Sequence, residues 1–475
     1  PLARVPARGT AGFAAPFTPT RSHASRPAAP PASPPRLHAP SKRVLSQSVS
    51  PNERILAHLH TEYTRPVRDP LWKHIYLSDG LLSLLDTVEF QQLHHIKQLG
   101  PSYLLYPGAT HTRFNHSIGV FHIARLMITA LVAKPDCPPL SLEGVKAFLA
   151  ASLLHDLGHF PYAHSLKELP LKPHERLAAE QIVSGPFAKR ISAALGSDPH
   201  MVAAIIDETG EGRSERETAF YRSILSGTLD PDKLDYLNRD AYFCGVPYGI
   251  QDVDFAVSHI VPTADYRLAL DTDGISAVEN ILFSKYLMYR AVYWHRTVRV
   301  ATAMIKKALY LGLARGAIET DELYGLDDEL FFSRFTAARS REFSLIEDVA
   351  ARRLYKTVLE MPFQAGDTHL ASLTGLPART SVETQLAEEF SLRTGHAVSA
   401  SEVIIDVPEA VSFELSMPIY HAGSVIDYPD TETVFTPEVI AGFTDTLRRI
   451  RVMVPGDVAK RLHQTDIREI FESIR

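Results

Sequence analysis

Cysteine is nearly absent: 475 residues contain only Cys137 and Cys244. They form no CxxC pair, which excludes a cysteine-rich zinc site. They supply no disulfide framework either, which fits a reducing compartment and a cytoplasmic protein. Long apolar runs are also lacking. No stretch of about 18 residues is apolar and uncharged enough to read as a membrane span. The stretch Ser141–Leu154 is apolar but carries Glu143 and Lys146, so it reads as a buried helix. Acidic residues are missing from residues 1–52, which hold seven Lys/Arg and 11 of the 33 prolines. That segment has no helical or strand period and is expected to be a disordered, basic Pro/Ala/Ser-rich tail. Its Arg and Ser content also suits organelle targeting, although its prolines oppose the amphipathic helix a transit peptide needs. The rest keeps 42 of the 49 Lys/Arg against all 55 Asp/Glu, a net −13. An acidic body is a poor general nucleic-acid partner, but it leaves room for a local basic pocket that takes one small phosphate ligand.

What is present supports a large folded body. Hydrophobic residues make up 45% of the chain, ordinary for a globular protein of this length. Apolar residues recur at three- and four-residue spacing in Leu81–Gln98, Ser117–Val132, Leu142–Leu157 and Ile281–Leu313. Gly and Pro punctuate these segments at Gly100, Pro107-Gly108, Pro138-Pro139 and Pro161. Asp265–Asp273 alternates and reads as a short hairpin arm. From about Asp321 the character changes. A helical Leu330–Glu360 precedes strand-like Glu402–Val407 and Val411–Leu415, then a helix at Thr436–Arg448 and a strand at Ile450–Val454. The expected organisation is a tail over 1–52, a mainly α domain over 53–319 and a smaller α+β region over 320–475.

Three segments carry chemistry. In ASLLHDLGHFPYAH an adjacent His155-Asp156 pair lies among Leu149, Leu153, Leu154 and Leu157. Such a pair is costly in an apolar run unless it is satisfied. A metal ion is one solution, since imidazole and carboxylate together suit Mn, Fe, Zn, Ni or Mg. His159 follows on the same helical face, and His164 lies past Pro161. In PGATHTRFNHSIGVFHIARLM, His116 sits at a helix start beside Arg113, where His116 and Asn115 could equally act as caps. In LDPDKLDYLNRDAYFCGV, Asp230-Pro231 opens a helix. Asp232, Tyr236 and Asp240 then share one stripe, which is either a solvated face or the wall of a polar site, and Lys233 is placed to hold a phosphate.

Together the ordered pieces IKQLGPSYLLYPGATHTRFNHSIGV, LLHDLGHFPYAH and LDPDKLDYLNRDAYFCGV give H…HD…D, which resembles the HD-domain phosphohydrolases. The similarity is greatest to the dNTP triphosphohydrolase branch, with its deoxyguanosine triphosphohydrolases (dGTPases), and covers roughly Val67–Leu311. The resemblance implies an all-α HD domain and a divalent ion, such as manganese, on His116, His155, Asp156 and Asp232. It implies that Arg113, His159, His164 and His174 act on the phosphates, His164 as proton donor to the leaving oxygen. Gln98 and Leu99 would approach the sugar, Lys233, Tyr236 and Asp240 would bind phosphate and sugar, and Tyr293 would stack on the sugar. It also implies a nucleotide substrate split into deoxynucleoside and triphosphate, and a homo-oligomer.

The sequence departs from that pattern in places. Trp294 follows Tyr293 where a relative has Gln, and Lys167 stands where an acid accompanies the histidine matching His164. Asp86 matches an acid of an activator-nucleotide site, but His94 and Arg68 replace its Arg and Asn. Two other readings therefore stand beside the first. One is an HD phosphohydrolase for a nucleoside monophosphate, a cyclic nucleotide or another phosphate ester. The other is a non-catalytic nucleotide sensor.

Overall fold

A computed structural model describes residues 50–209, 216–337, 341–421, 423–462 and 466–474. Of the expected tail over 1–52, residues 1–49 lie outside them. Its last residues are structured: Ser50 caps the helix Pro51–Thr61 through a reciprocal capping box with Glu53.

The fold is mainly α, as the sequence predicts. Its axis is the helix Arg113–Val132, buried on nearly every side. An all-round apolar helix of this kind belongs at the centre of a helical core. It packs against Leu142–Leu154 and Pro231–Cys244. Gly119 permits the second contact: a Cβ there would stand 1.9 Å from Asp235 Oδ1 and 2.5 Å from Arg239 Nη2. The start of each partner helix is written locally. Ser141 Oγ accepts the Gly144 amide at 2.9 Å. Asp230 accepts the Lys233 amide at 2.7 Å ahead of Pro231. Gly245, at φ 68°, ends the second helix in the left-handed conformation that favours glycine.

Several expected elements have other bounds. The helix expected from Ser117 begins at Arg113, so His116 lies inside its first turn. Asn115 does cap, accepting the Thr112 amide at 3.3 Å, whereas the His116 imidazole turns to carboxylates instead. The Leu142 helix stops at Leu154, with His155 as its C-cap, so the His-Asp pair sits at a helix end rather than within it. Leu81–Gln98 breaks into Asp79–Leu85, Val88–Gln91 and a 3₁₀ turn. Ile281–Leu313 is two helices, Ile275–Met288 and Arg296–Ala314, joined by a π-turn at Tyr289–Tyr293. Such turns often mark sites, and this one re-aims Tyr293.

Three small sheets complete the fold. Arg65–Asp69 pairs antiparallel with Lys73–Leu77. Leu268–Asp271, the expected hairpin arm, pairs with Ile260–Pro262. Pro418–His421 then adds in parallel and Ser424–Asp427 antiparallel, so the last third of the chain extends a sheet begun near residue 260. Arg449–Val454 lies between Lys356–Pro362 and Ile404–Asp406. The expected helical stretch Leu330–Glu360 therefore ends in a strand, because Lys356–Pro362 finds a partner nearly a hundred residues later. The expected strand at Val411–Leu415 has no ladder partner and runs as irregular chain. The helix Leu376–Thr394 was not anticipated.

Candidate metal centre and ligand cavity

The three motif segments converge. His116 comes from the central helix, His155 and Asp156 from the turn after Leu154, and Asp232 from the first turn of the Pro231 helix. Gly158 lets this turn pack closely on the His174–Val183 helix, since a Cβ there would meet the His174 carbonyl at 2.2 Å. His116 Nε2 lies 2.8 Å from Asp232 Oδ1 and 3.9 Å from Asp156 Oδ2. His155 Nε2 lies 3.4 Å from Asp156 Oδ1 and 3.8 Å from Asp232 Oδ1.

This donor set fits a divalent ion: His116, His155 and Asp156 offer atoms within 4.8 Å of one another, and Asp232 Oδ1 lies 2.8 and 3.8 Å from the two imidazoles. The orphaned atoms agree. His155 Nδ1 is 3.0 Å from the Ser152 carbonyl and so carries its proton there, leaving a bare Nε2. That nitrogen is buried and has no hydrogen-bond partner among the described residues. The electrostatics point the same way. Burial lowers the His116 pKa, but its hydrogen bonds to Asp232 and Asp235 outweigh it and raise the value to about 10. Burial raises the Asp232 pKa, but His116 reverses this and brings it down to about 2. A proton thus occupies the place a cation would take.

Behind the ligands stands a carboxylate that sequence reasoning missed. Asp235 accepts from His116 Nδ1 at 2.8 Å, Trp72 Nε1 at 2.6 Å, and Arg239 Nε and Nη2 at 2.8 and 2.9 Å. Arg239, fully buried, also donates to Asp69 at 2.9 Å. Holding the Nδ1 proton fixes the His116 tautomer with Nε2 toward the metal point. The signal in the sequence was the second stripe of the same helix, Asp235 and Arg239 at i, i+4 within a segment whose length is mostly buried.

Beside the metal point, Arg113 Nη1 donates to Asp156 Oδ2 at 2.8 Å. His159, His164 and His174 form a second cluster, with His159 Nε2 3.1 Å from His164 Nε2 and the His159 and His174 ring centroids 3.8 Å apart. Burial and the nearby Arg113 hold His159 well below the usual imidazole range. Burial, Arg113 and Lys167 push His164 down to about 3. These rings are neutral until an anion arrives. Tyr162, at φ 66°, precedes the turn that carries His164, and a bulky residue in that region is strained.

Both groups open onto a cavity of about 570 Å³, the size of a small-ligand pocket. Gln98, Leu99, Tyr236, Asp240 and Tyr293 line it, as the motifs predict. Tyr293 donates to Asp240 Oδ2 at 2.7 Å, and Gln98 Oε1 is buried without a partner among the described residues. Lys233 differs from expectation. Its ammonium is engaged by Asp230 at 2.6 Å, Glu414 at 2.8 Å and the Gly227 carbonyl at 2.8 Å, and it does not line the cavity. Sequence reasoning missed several cavity cations: Lys97, Arg299, Lys306 and Lys285, the last of which donates to the Ser412 carbonyl at 2.5 Å. Val407–Ser412 also contributes to the wall, so the last third of the chain shares the site.

Comparison with known proteins follows the same lines. Residues 257–436 match the model of the "HD associated region" family. An uncharacterized protein of Bacillus subtilis, YwfO, is 30% identical over 315 residues, spanning 62% of this chain and 70% of that protein. Zebrafish deoxynucleoside triphosphate triphosphohydrolase SAMHD1 is 26% identical over 352 residues, spanning 64% of this chain but only 57% of that enzyme. The crystal structure of a hypothetical protein from Aquifex aeolicus superposes with TM-score 0.64 at 25% identity, over 84% of this chain and 99% of that one.

Proposed function

This chain belongs to the HD-domain phosphohydrolases, on their dNTPase-like branch, and from that premise we propose that it hydrolyses deoxynucleoside triphosphates to deoxynucleoside and triphosphate. The observation that carries the reading is one cavity lined both by His116, His155, Asp156 and Asp232 and by Gln98, Leu99, Asp240 and Tyr293. An ion held by His116, His155, Asp156 and Asp232 would polarise a phosphate oxygen and a water. The ion is divalent, with manganese one candidate.

The protein's own groups do the rest. Arg113 is fixed by Asp156 through Nη1 and keeps Nε buried and unpartnered among the described residues, so its guanidinium can turn to a phosphate oxygen. Charge neutralisation and positioning dominate phosphoryl chemistry. A bound phosphate chain brings negative charge to His159, His164 and His174, which favours their protonation. His164 can then give its proton to the leaving sugar oxygen. Asp240, held by Tyr293, faces the sugar with an acceptor in fixed orientation. The family resemblance would make this chain a homo-oligomer as well.

A second reading has one specific support. Lys233 and Lys285 are both tied to Ser412–Glu414, leaving Arg113, Lys167 and the histidines as the phosphate contacts beside the metal ligands. That set suits a single phosphate, as in a nucleoside monophosphate or cyclic nucleotide. Product analysis separates the two. Full-length protein with Mn²⁺ is offered dGTP, dATP, dCTP, dTTP, GTP and the monophosphates, and products are resolved by ion exchange. Deoxynucleoside plus triphosphate, absent with Asp156→Ala, supports the triphosphohydrolase. Orthophosphate released from the monophosphates alone moves the enzyme to the second class.

A further inference from the structure

One buried histidine just behind the cavity wall has no part in the chemistry above. His111 is 3% exposed, and its Nε2 lies 2.8 Å from Asp240 Oδ1. A carboxylate only accepts, so His111 donates. Its ring stacks on Phe243, with centroids 4.6 Å apart and planes at 23°. Gly108 lets this loop lie against the same helix, because a Cβ there would meet the Phe243 carbonyl at 2.4 Å. Through its backbone, His111 also accepts the Gln98 amide at 3.0 Å, and in the next rung the Arg113 amide donates to the Ile96 carbonyl at 2.9 Å.

Three wall residues from three elements are therefore linked through His111 and Asp240. Gln98 follows a 3₁₀ turn, Asp240 sits on the Pro231 helix, and Tyr293 closes the π-turn. Both Asp240 oxygens have buried donors, His111 on one and Tyr293 on the other. A carboxylate gripped at both ends cannot rotate to accommodate a new hydroxyl. Sites with fixed polar groups discriminate a missing or added hydroxyl far better than apolar pockets do.

We propose that His111 is the positioning residue of the sugar subsite, setting the relative placement of Asp240 and Gln98 that separates a 2′-deoxyribose from a ribose. The proposal rests on the deoxynucleotide reading above. Its test uses full-length protein with Mn²⁺, comparing dGTP with GTP in the wild type, His111→Phe and His111→Gln. Phe keeps a ring for Phe243 but removes the donor, whereas Gln keeps an N–H. His111→Phe is expected to raise the KM for dGTP about tenfold or more, the loss of one hydrogen bond to a charged group. The dGTP:GTP ratio of kcat/KM should fall with it. Metal content and inhibition by inorganic tripolyphosphate should stay at wild-type levels, and His111→Gln should recover most of the ratio. An unchanged ratio in a folded, metal-loaded His111→Phe overturns the proposal. If that variant does not fold, His111→Leu combined with Tyr293→Phe decides: coupled effects on the ratio are expected, and additive effects overturn it. Wild-type protein that releases no deoxynucleoside from dGTP defeats the parent reading, and this proposal with it.

Discussion

At the scale of single residues, the site is set by groups that never touch a ligand. Asp235 holds the His116 Nδ1 proton and is itself held by Trp72 and Arg239. Asp235→Asn should lower metal affinity about 10- to 100-fold, the usual cost of removing such a partner. Metal titration followed by mass spectrometry reads this, and wild-type affinity in the variant would refute the role. A second residue-scale prediction concerns Lys167, one of the groups that push His164 down. Removing its charge in Lys167→Gln should raise the His164 pKa. A general acid works below its pKa, so the alkaline limb of the kcat–pH profile should move to higher pH. A limb that stays in place would remove His164 from the proton transfer. The metal-free protein has its own pH signature. The folded-state pKa of His116, about 10, lies above its unfolded value of roughly 6.5. Its stabilising contribution is fully present below the unfolded value and is lost as pH rises through the folded one. Denaturant midpoints of chelated protein should therefore fall across that window.

At the scale of elements, close helix approach is what brings the ligands together. Gly119→Ala puts a methyl group onto Asp235 and Arg239, so it should separate the central helix from the Pro231 helix. Loss of both metal binding and several degrees of melting temperature is expected. The irregular chain from Val407 to Leu415 is the other deciding element. Glu414 occupies Lys233, so Glu414→Gln should release that ammonium toward phosphate and lower the KM for nucleotides. A raised KM would instead make the pair purely structural. At this scale the sequence was only partly legible. His155-Asp156 stands out in its apolar window, whereas His116 and Asp232 are read as ligands only through the ordered H…HD…D resemblance, since their own windows suit a helix cap and a solvated face equally. The strand Lys356–Pro362 and the wall segment Val407–Ser412 could not be found, because only partners far along the chain define them. Lys233 illustrates the same limit. Its neighbours in sequence suggest a phosphate ligand, yet Asp230 and, 181 positions away, Glu414 together hold its charge.

At the scale of the whole molecule, the last third of the chain is part of the site. It adds strands to the sheet that begins at Ile260 and lines the cavity through Val407–Ser412. Among the described residues no helix is long and apolar enough to cross a membrane. The core is mainly helical around one buried axis, so a ligand that binds only the folded chain should stabilise all of it. Metal at about 100 times its Kd should add roughly 2.7 kcal/mol, seen as a higher melting temperature that chelator reverses. The central claim is that His116, His155, Asp156 and Asp232 form one metal centre that hydrolyses nucleotide phosphate bonds. Metal content and hydrolysis measured on the same samples test it most directly, for wild type, chelated and refilled protein, and Asp156→Ala. The account predicts that bound ion and product release vanish together on chelation and in the variant, and return together on refilling. Hydrolysis that persists in metal-free protein, or in Asp156→Ala, would contradict it.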